Sequence, residues 1–129
     1  MEKEHRLAEL QLAIMQVLWR NGESTVSEVR DALQPSKKLA YTTVGTMLAK
    51  MEAHGYVRHT SCGRVNIYHA VIKEEQVSRS MVNDLVKRLF AGDVSQMVCQ
   101  LLGSDSVTPE TVASLKRMIL KREKELRDE

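Results

Sequence analysis

The hydrophobic pattern of the chain changes period at Gly55, and this change restricts the fold more than any other feature. Before Gly55, three short segments carry apolar residues at helical spacing. After Gly55, residues 56–61 and 65–70 tend toward strand-like alternation, and residues 62–64 (Cys-Gly-Arg) separate them. The pattern therefore predicts three helices followed by a β-hairpin.

Local signals place the ends of these helices. The first helix is predicted over residues 7–19, with Asn21-Gly22 as its stop. A T-x-x-E capping box formed by Thr25 and Glu28 begins the second helix, which ends at residues 34–36 (Gln-Pro-Ser). The third helix lies in residues 39–57 and ends at Gly55.

This order of elements predicts a mainly α protein with a small β-hairpin wing. Residues 1–72 are interpreted as a winged helix-turn-helix DNA-binding domain, and residues 73–129 as a helical dimerisation region. Two alternatives remain open: a small α+β domain with no role in DNA binding, and a winged helix that serves as a protein-interaction module.

The third helix, within LAYTTVGTMLAKMEAHGYV, has an unusual outer face. Val44, Leu48 and Met51 form its core stripe, and Glu52 lies toward the edge of that stripe. The opposite face has no acidic residue and only one charge, which is positive. This composition predicts a face that fits against DNA, although packing on another protein element is an alternative. The face consists of Thr42, Thr46, Ala49, Lys50 and Ala53.

The charge distribution agrees with a polyanionic partner. Residues 30–69 contain six Lys and Arg and two acidic residues, whereas the ten basic and ten acidic residues from position 73 onward cancel. In a helix-turn-helix, the N-terminal part of the second motif helix is nearest the bases. Double-stranded DNA is therefore the predicted partner. We expect Thr42, Thr43 and Thr46 at base edges, Lys37, Lys38, Tyr41 and Lys50 at phosphates, and Arg64 at a phosphate or a narrow minor groove.

Beyond residue 72 the sequence predicts amphipathic helices with more apolar surface than three short helices can bury on one another. A break is expected at Gly92-Asp93, a loop from Gly103 to Thr108, and a helix start at Thr108-Pro109. A homodimer is the predicted solution, and an intramolecular three-helix subdomain is the alternative. The expected dimerisation residues are Met81, Leu85, Leu89, Val94, Met97, Val98, Leu101, Leu115 and Ile119.

Enzyme and cofactor signals are weak. No nucleophile elbow, phosphate loop or HExxH motif occurs, so neither catalysis nor a cofactor is predicted. His59, Cys62 and His69 lie near one hairpin but match no usual zinc spacing, so no metal site is predicted. A redox or metal switch at Cys62 or Cys99 remains an alternative. The charged N-terminus and the lack of a long apolar run predict a cytoplasmic protein without membrane insertion.

Four segments together resemble the penicillinase-repressor family, which includes regulators of β-lactamase and methicillin-resistance genes and copper-responsive repressors. They are LAELQLAIMQVLW, STVSEVRDAL, LAYTTVGTMLAKMEAHGYV and the GR of the hairpin. The resemblance implies a homodimeric winged-helix repressor on palindromic operators, often with TACA/TGTA half-sites. It places Arg64 on the wing and the following residues on the recognition helix: Tyr41, Thr42, Thr43, Thr46 and Lys50.

The resemblance also implies ways in which repression is relieved. In the β-lactamase branch, a membrane sensor-peptidase system leads to cleavage in the dimerisation helices, commonly at an Asn-Phe bond. The matching position here is about Cys99-Gln100, within SQMVCQLL, and is not Asn-Phe. The copper branch carries Cys-x-Cys motifs near its C-terminus, and this chain has none. The inducing signal is left open.

Overall fold

The structure, a computed structural model, describes residues 8–129; Leu7, where the first helix is predicted to begin, lies outside the described residues. Six helices and three strands follow one another along this part of the chain. In order they are α1 (Glu9–Asn21), β1 (Ser24–Thr25), α2 (Val26–Leu33), α3 (Tyr41–Ala53), β2 (Val57–Cys62), β3 (Val65–Ala70), α4 (Glu74–Phe90), α5 (Val94–Leu102) and α6 (Pro109–Arg127).

The predicted capping box at the start of α2 is confirmed. The Thr25 hydroxyl accepts a hydrogen bond from the Glu28 amide at 3.2 Å, and the Glu28 carboxylate accepts one from the Thr25 amide at 2.9 Å. Two amides that the first helical turn would leave without partners are thereby satisfied.

Glycines end α1 and α3, as predicted. Gly22 has φ 76° and donates its amide to the Leu18 carbonyl. Gly55 has φ 84°; its amide reaches the Glu52 carbonyl, and the amide of Tyr56 reaches the Met51 carbonyl. These two bonds form a Schellman motif, which requires the left-handed conformation that glycine adopts without strain.

The predicted hairpin is confirmed as β2 and β3, with a shorter loop. Cys62 pairs with Val65, so only Gly63 and Arg64 form the connection, and Gly63 takes φ 65° at the first turn position. The sheet also has a third strand that the hydrophobic pattern did not predict. β1 pairs antiparallel with β3, giving the order β1-β3-β2 and making β2 an edge strand.

One apolar core holds α1 to α3 and the base of the wing together. Val44, Leu48 and Met51 are fully buried, which confirms the predicted core stripe of α3. They join side chains from α1, α2 and β2, and the core continues to Ile72 and Val77. The Trp19 indole N–H donates to the Ile72 carbonyl at 3.0 Å, which ties the end of α1 to the chain just before α4. Full burial of each Val, Leu, Ile or Met side chain of this core stabilises the fold by about 1.5–3 kcal/mol.

The chain divides into two compact units, one ending at Asn83 and one comprising Asp84–Glu129. The break between α4 and α5 occurs at Ala91 and Gly92, both with positive φ. As predicted, α6 begins with Thr108 as its N-cap and Pro109 at its first turn. Within residues 8–129, no helix is both long and apolar enough to cross a membrane.

Candidate nucleic-acid interface

The face of α3 that the sequence predicted to point outward is exposed in the structure. Thr42, Thr46, Ala49, Lys50 and Ala53 are all exposed, on the side opposite the buried stripe. Thr43, also expected at the bases, is exposed as well. The face therefore presents hydroxyls, methyl groups and one ammonium to solvent, and no carboxylate.

The N-terminus of α3 adds a second feature that suits an anion. Its N-cap is Ala40, which offers no side-chain oxygen to the first amides, and the first turn contains no acidic residue. The first amides of a helix carry a partial positive charge and have no partner within the helix. No side chain among residues 8–129 caps them here, and a phosphate oxygen is a suitable outside acceptor.

Glu52, the one acidic residue of α3, is bound by the wing. Its Oε1 lies 2.6 Å from Nδ1 of His59, and its Oε2 accepts the backbone amide of His59 at 3.3 Å. Both side chains are about one third exposed. The prediction that Glu52 lies toward the core edge did not include His59 as a partner, because the two residues meet only after the wing folds against α3.

Tyr68 is the cross-strand partner of His59, and its pKa is affected by Glu52. It is 5% exposed, and its ring lies 5.4 Å from that of His59. Burial, followed by the charge of Glu52, raises the pKa of Tyr68 above its usual value of 10.0; a hydrogen bond with Asn66 lowers it, and Tyr41 raises it slightly. The neutral phenol is therefore favoured under the junction of α3 and the wing.

The candidate phosphate-binding residues differ in their surroundings. Lys38, Lys50 and Arg64 are exposed and make no ion pair with any residue that the structure describes. Arg64 occupies the two-residue wing loop. Lys37 instead forms an ion pair with Glu9, the first residue of α1; its Nζ lies 3.1 Å from Oε1 of Glu9. Exposed pairs of this kind contribute only about 0–1 kcal/mol, so a phosphate can compete for the ammonium.

The expected dimerisation residues fall into two groups. Leu85, Leu89, Val94, Val98, Leu101 and Ile119 are exposed, while Met97 and Leu115 are half-buried. Met81 is also half-buried, but it packs against the core of the first unit. The wider set of exposed apolar residues in the second unit also includes Leu102, Met118, Leu120 and Leu126.

The two cysteines and the hairpin histidines form no cluster. Cys62 and Cys99 are exposed free thiols, and Gln100 is exposed beside Cys99 in α5. Among residues 8–129, no group of three or more His, Cys, Asp or Glu side chains is arranged to hold a metal ion.

A family model described as the penicillinase repressor matches residues 7–121 of the sequence. The chain belongs to the penicillinase repressor family. Membership confirms the resemblance found in the motifs, and it identifies the chain as a DNA-binding transcriptional regulator of the repressor type rather than an enzyme.

Individual relatives agree with this assignment. The chain is 36% identical over 94 residues to the transcriptional regulator BlaI of Mycobacterium tuberculosis, covering 71% of this chain and 68% of that protein. The solution structure of the DNA-binding domain of the repressor BlaI superposes with a TM-score of 0.51 at 28% identity, covering 59% of this chain and 93% of that one.

A more distant structure supports the fold alone. A MarR family protein from Bacillus stearothermophilus matches 95% of this chain and 77% of its own, with a TM-score of 0.54 at 20% identity. Together with the mainly helical structure and its small antiparallel sheet, these neighbours confirm the predicted winged-helix fold class.

Proposed function

We propose that this family member acts as a homodimer that binds a palindromic operator and represses transcription by blocking the promoter. The observation that carries the proposal is the outer face of α3, which is exposed, free of carboxylates and composed of side chains short enough to enter a major groove. The one acidic residue of the helix is held by His59.

In this proposal α3 is the recognition helix. Thr42, Thr43 and Thr46 lie nearest its N-terminus, where hydroxyls can hydrogen-bond to base edges and methyl groups can contact thymine. Ala49 leaves room for close approach, and Lys50, further along, reaches a phosphate.

The segments on either side of α3 position it on the duplex. Lys38 and Tyr41 are exposed at the turn before the helix and at its first residue, where phosphates of the groove edge would lie. Lys37 would exchange its carboxylate partner Glu9 for a phosphate. Arg64, at the tip of the wing, would contact a phosphate or enter the adjacent minor groove.

The apolar surface of the second unit supports a homodimer. Leu89 is 68% exposed, Val94 62% and Ile119 61%, and they lie on three different helices. Large apolar surfaces of this kind mark sites of association. A second copy would cover them through a self-complementary contact, and its two-fold symmetry would match an operator palindrome. Residues 1–72 and 73–129 would then supply DNA binding and dimerisation respectively.

Relatives support the same assignment. The Mycobacterium protein is named a transcriptional regulator, and the BlaI structure is that of a repressor's DNA-binding domain. As a bacterial-type repressor the chain would act in the cytoplasm, where the chromosome lies. A membrane sensor-peptidase system, as in the β-lactamase branch, would be a partner only if the exposed α5 segment around Cys99 and Gln100 is cleaved.

The proposal is tested by fluorescence anisotropy at several salt concentrations. One labelled duplex carries TACA and TGTA half-sites as a palindrome, and a second comes from upstream of the chain's own gene. A scrambled duplex of equal length is the control. We expect tighter binding to the palindromic duplex or to the upstream duplex than to the scrambled one, with an affinity that falls steeply as the salt concentration rises. Equal weak binding to all three, together with salt-insensitive capture of a protein partner, would favour the protein-interaction module.

A further inference from the structure

The wing meets α3 through one polar connection. Both oxygens of the Glu52 carboxylate are used: one contacts the His59 ring and the other accepts the His59 amide. Among the described residues, no other side-chain hydrogen bond joins α3 to β2. The pair therefore links the C-terminal half of the proposed recognition helix to the middle of an edge strand.

Apolar packing does not hold the outer part of the wing. Val57 at the start of β2 is fully buried, but every later residue of that strand is exposed. On β3, Tyr68 is the last buried side chain before the tip, and its ring lies beside that of its cross-strand partner His59. Beyond this level, the described support of the hairpin is polar: the ladder of β2 with β3, the pairing of Ile67 with Thr25 of β1, and the hydrogen bonds of Asn66 with Ser61 and Tyr68.

The edge position of β2 explains why Glu52 suits this role. The outward amides of an edge strand have no ladder partner and must find another acceptor or water. The amide of His59 finds one in Glu52. A carboxylate that accepts both a backbone amide and a ring nitrogen fixes the direction of the strand as well as its distance from the helix.

We propose that Glu52 and His59 are positioning residues that set the angle of the wing relative to α3, and thereby place Arg64 on the DNA. The inference rests on the proposed operator binding. It assigns no DNA contact to either residue. Without the pair, the hairpin still forms, but its tip samples a range of positions and Arg64 no longer makes a fixed contact.

The wing angle can be measured without DNA. Nitroxide labels are attached to Cys62 and to a cysteine introduced by Ala49→Cys, in a Cys99→Ser background. Labelled chain is diluted with an excess of unlabelled chain, so that pulsed electron paramagnetic resonance reports the distance within one copy. We expect one narrow distribution in this parent and a distribution at least about twice as wide in Glu52→Ala. His59→Ala should give an intermediate width, because it keeps the backbone amide that donates to Glu52.

Matched controls separate positioning from folding. Glu75→Ala removes an exposed carboxylate that pairs with Arg79 within α4, and it should leave the distribution narrow. Glu52→Gln keeps one carbonyl acceptor and should give an intermediate width. Thermal unfolding of each variant confirms that it is folded at the temperature of measurement. A distribution in Glu52→Ala as narrow as that of the parent would overturn the inference.

Operator binding provides the second readout. In the unlabelled chain with its own Ala49 and Cys99, Arg64→Ala should weaken operator binding several-fold. In the Glu52→Ala background it should weaken binding less than twofold, because the arginine is no longer held in place. An equal weakening in both backgrounds would contradict the positioning role. If the unlabelled chain without these substitutions shows no selective binding, the proposed function fails, and the distance measurement still decides whether the pair positions the wing.

Discussion

A carboxylate on a DNA-facing helix is repelled by phosphates unless it has a close cationic or hydrogen-bonding partner. Glu52 meets this requirement through His59, which contacts both of its oxygens. The pair lies at the junction of α3 and the wing. His59 therefore provides hydrogen-bonding partners for the Glu52 carboxylate, and the same contacts orient β2. Single residues of this kind, rather than the net charge of +2, determine the electrostatics of the interface.

The first prediction concerns Arg64. Arg64→Ala should weaken binding to operator and scrambled duplexes by a similar factor, because an arginine on a phosphate reads no sequence information. The slope of log affinity against log salt should fall by about 0.9 for each phosphate that the protein no longer neutralises. Anisotropy titrations at several salt concentrations measure this slope.

Arg79→Ala is the matched control, since Arg79 is exposed on α4 and paired with Glu75. It should leave the slope unchanged. An Arg64→Ala variant with the parental slope would show that Arg64 binds no phosphate.

The second prediction concerns Tyr68 at alkaline pH. Its pKa is raised in the folded state by burial and by Glu52, so the folded protein retains the phenolic proton above the pH at which the unfolded chain releases it. This contribution to stability is complete below pH 10.0 and disappears as the pH rises through the folded-state pKa. Tyr68→Phe should therefore lose less stability than the parent between neutral pH and the region above 10.0.

Urea unfolding at neutral pH and at two alkaline pH values tests this point. Tyr68→Phe also removes the hydrogen bond with Asn66, so only the pH dependence is compared. Identical alkaline decreases in the free energy of unfolding of both proteins would contradict the raised pKa.

At the scale of elements, Gly45 inside α3 and Gly55 just after it should respond oppositely to substitution by alanine. Gly55 has φ 84° in the Schellman motif that ends α3, so Gly55→Ala should destabilise the protein by about 1 kcal/mol or more. Gly45 lies inside α3, and a Cβ there would meet only Val26 at an ordinary 3.8 Å. Gly45→Ala should therefore stabilise by about 0.5–1 kcal/mol through helix propensity. Denaturant unfolding of both variants provides the test, and a shared sign would contradict it.

Helix ends were predictable because their signals are local. Thr25 with Glu28, the glycines at 22 and 55, and Thr108-Pro109 act within one turn of the chain, and each has the predicted role. The hairpin and the buried stripe of α3 were predictable for the same reason, because hydrophobic periodicity is also a pattern of residues close in sequence. The predicted outer face of α3 followed directly from that stripe.

Other features depend on residues that are distant in sequence. β1 has only two residues, too few to carry a period, and it exists because Ser24 and Thr25 lie beside β3. The contacts of Glu52 with His59 and of Lys37 with Glu9 likewise form only after folding. The sequence therefore indicated which side chains face outward, but not which of them have partners.

At the scale of the whole molecule, dimerisation should determine operator affinity. In the proposed complex each operator half-site would bind one winged helix, and linking two of them would raise the effective local concentration of the second. Leu89 is 68% exposed on the last turn of α4, where a partner copy would cover it. A charge there would remain buried and unpaired in the dimer.

Leu89→Lys should therefore produce a monomer and reduce operator affinity about 100-fold or more, while leaving half-operator binding unchanged. Val71→Lys is the control: Val71 is 42% exposed but precedes α4, outside the proposed dimerisation region. Sedimentation velocity and anisotropy measure the two effects. If Leu89→Lys sediments like the parent and retains full operator affinity, Leu89 lies outside the dimer interface.

The central claim, that the carboxylate-free face of α3 reads operator bases, is tested most directly by a base-substitution scan. Affinities of the parent and of Thr46→Ala are measured for operators carrying each single base change in one half-site. We predict that Thr46→Ala alters discrimination at one or two adjacent positions and leaves the others as in the parent. A uniform change across all positions, or no change at any position, would contradict the claim.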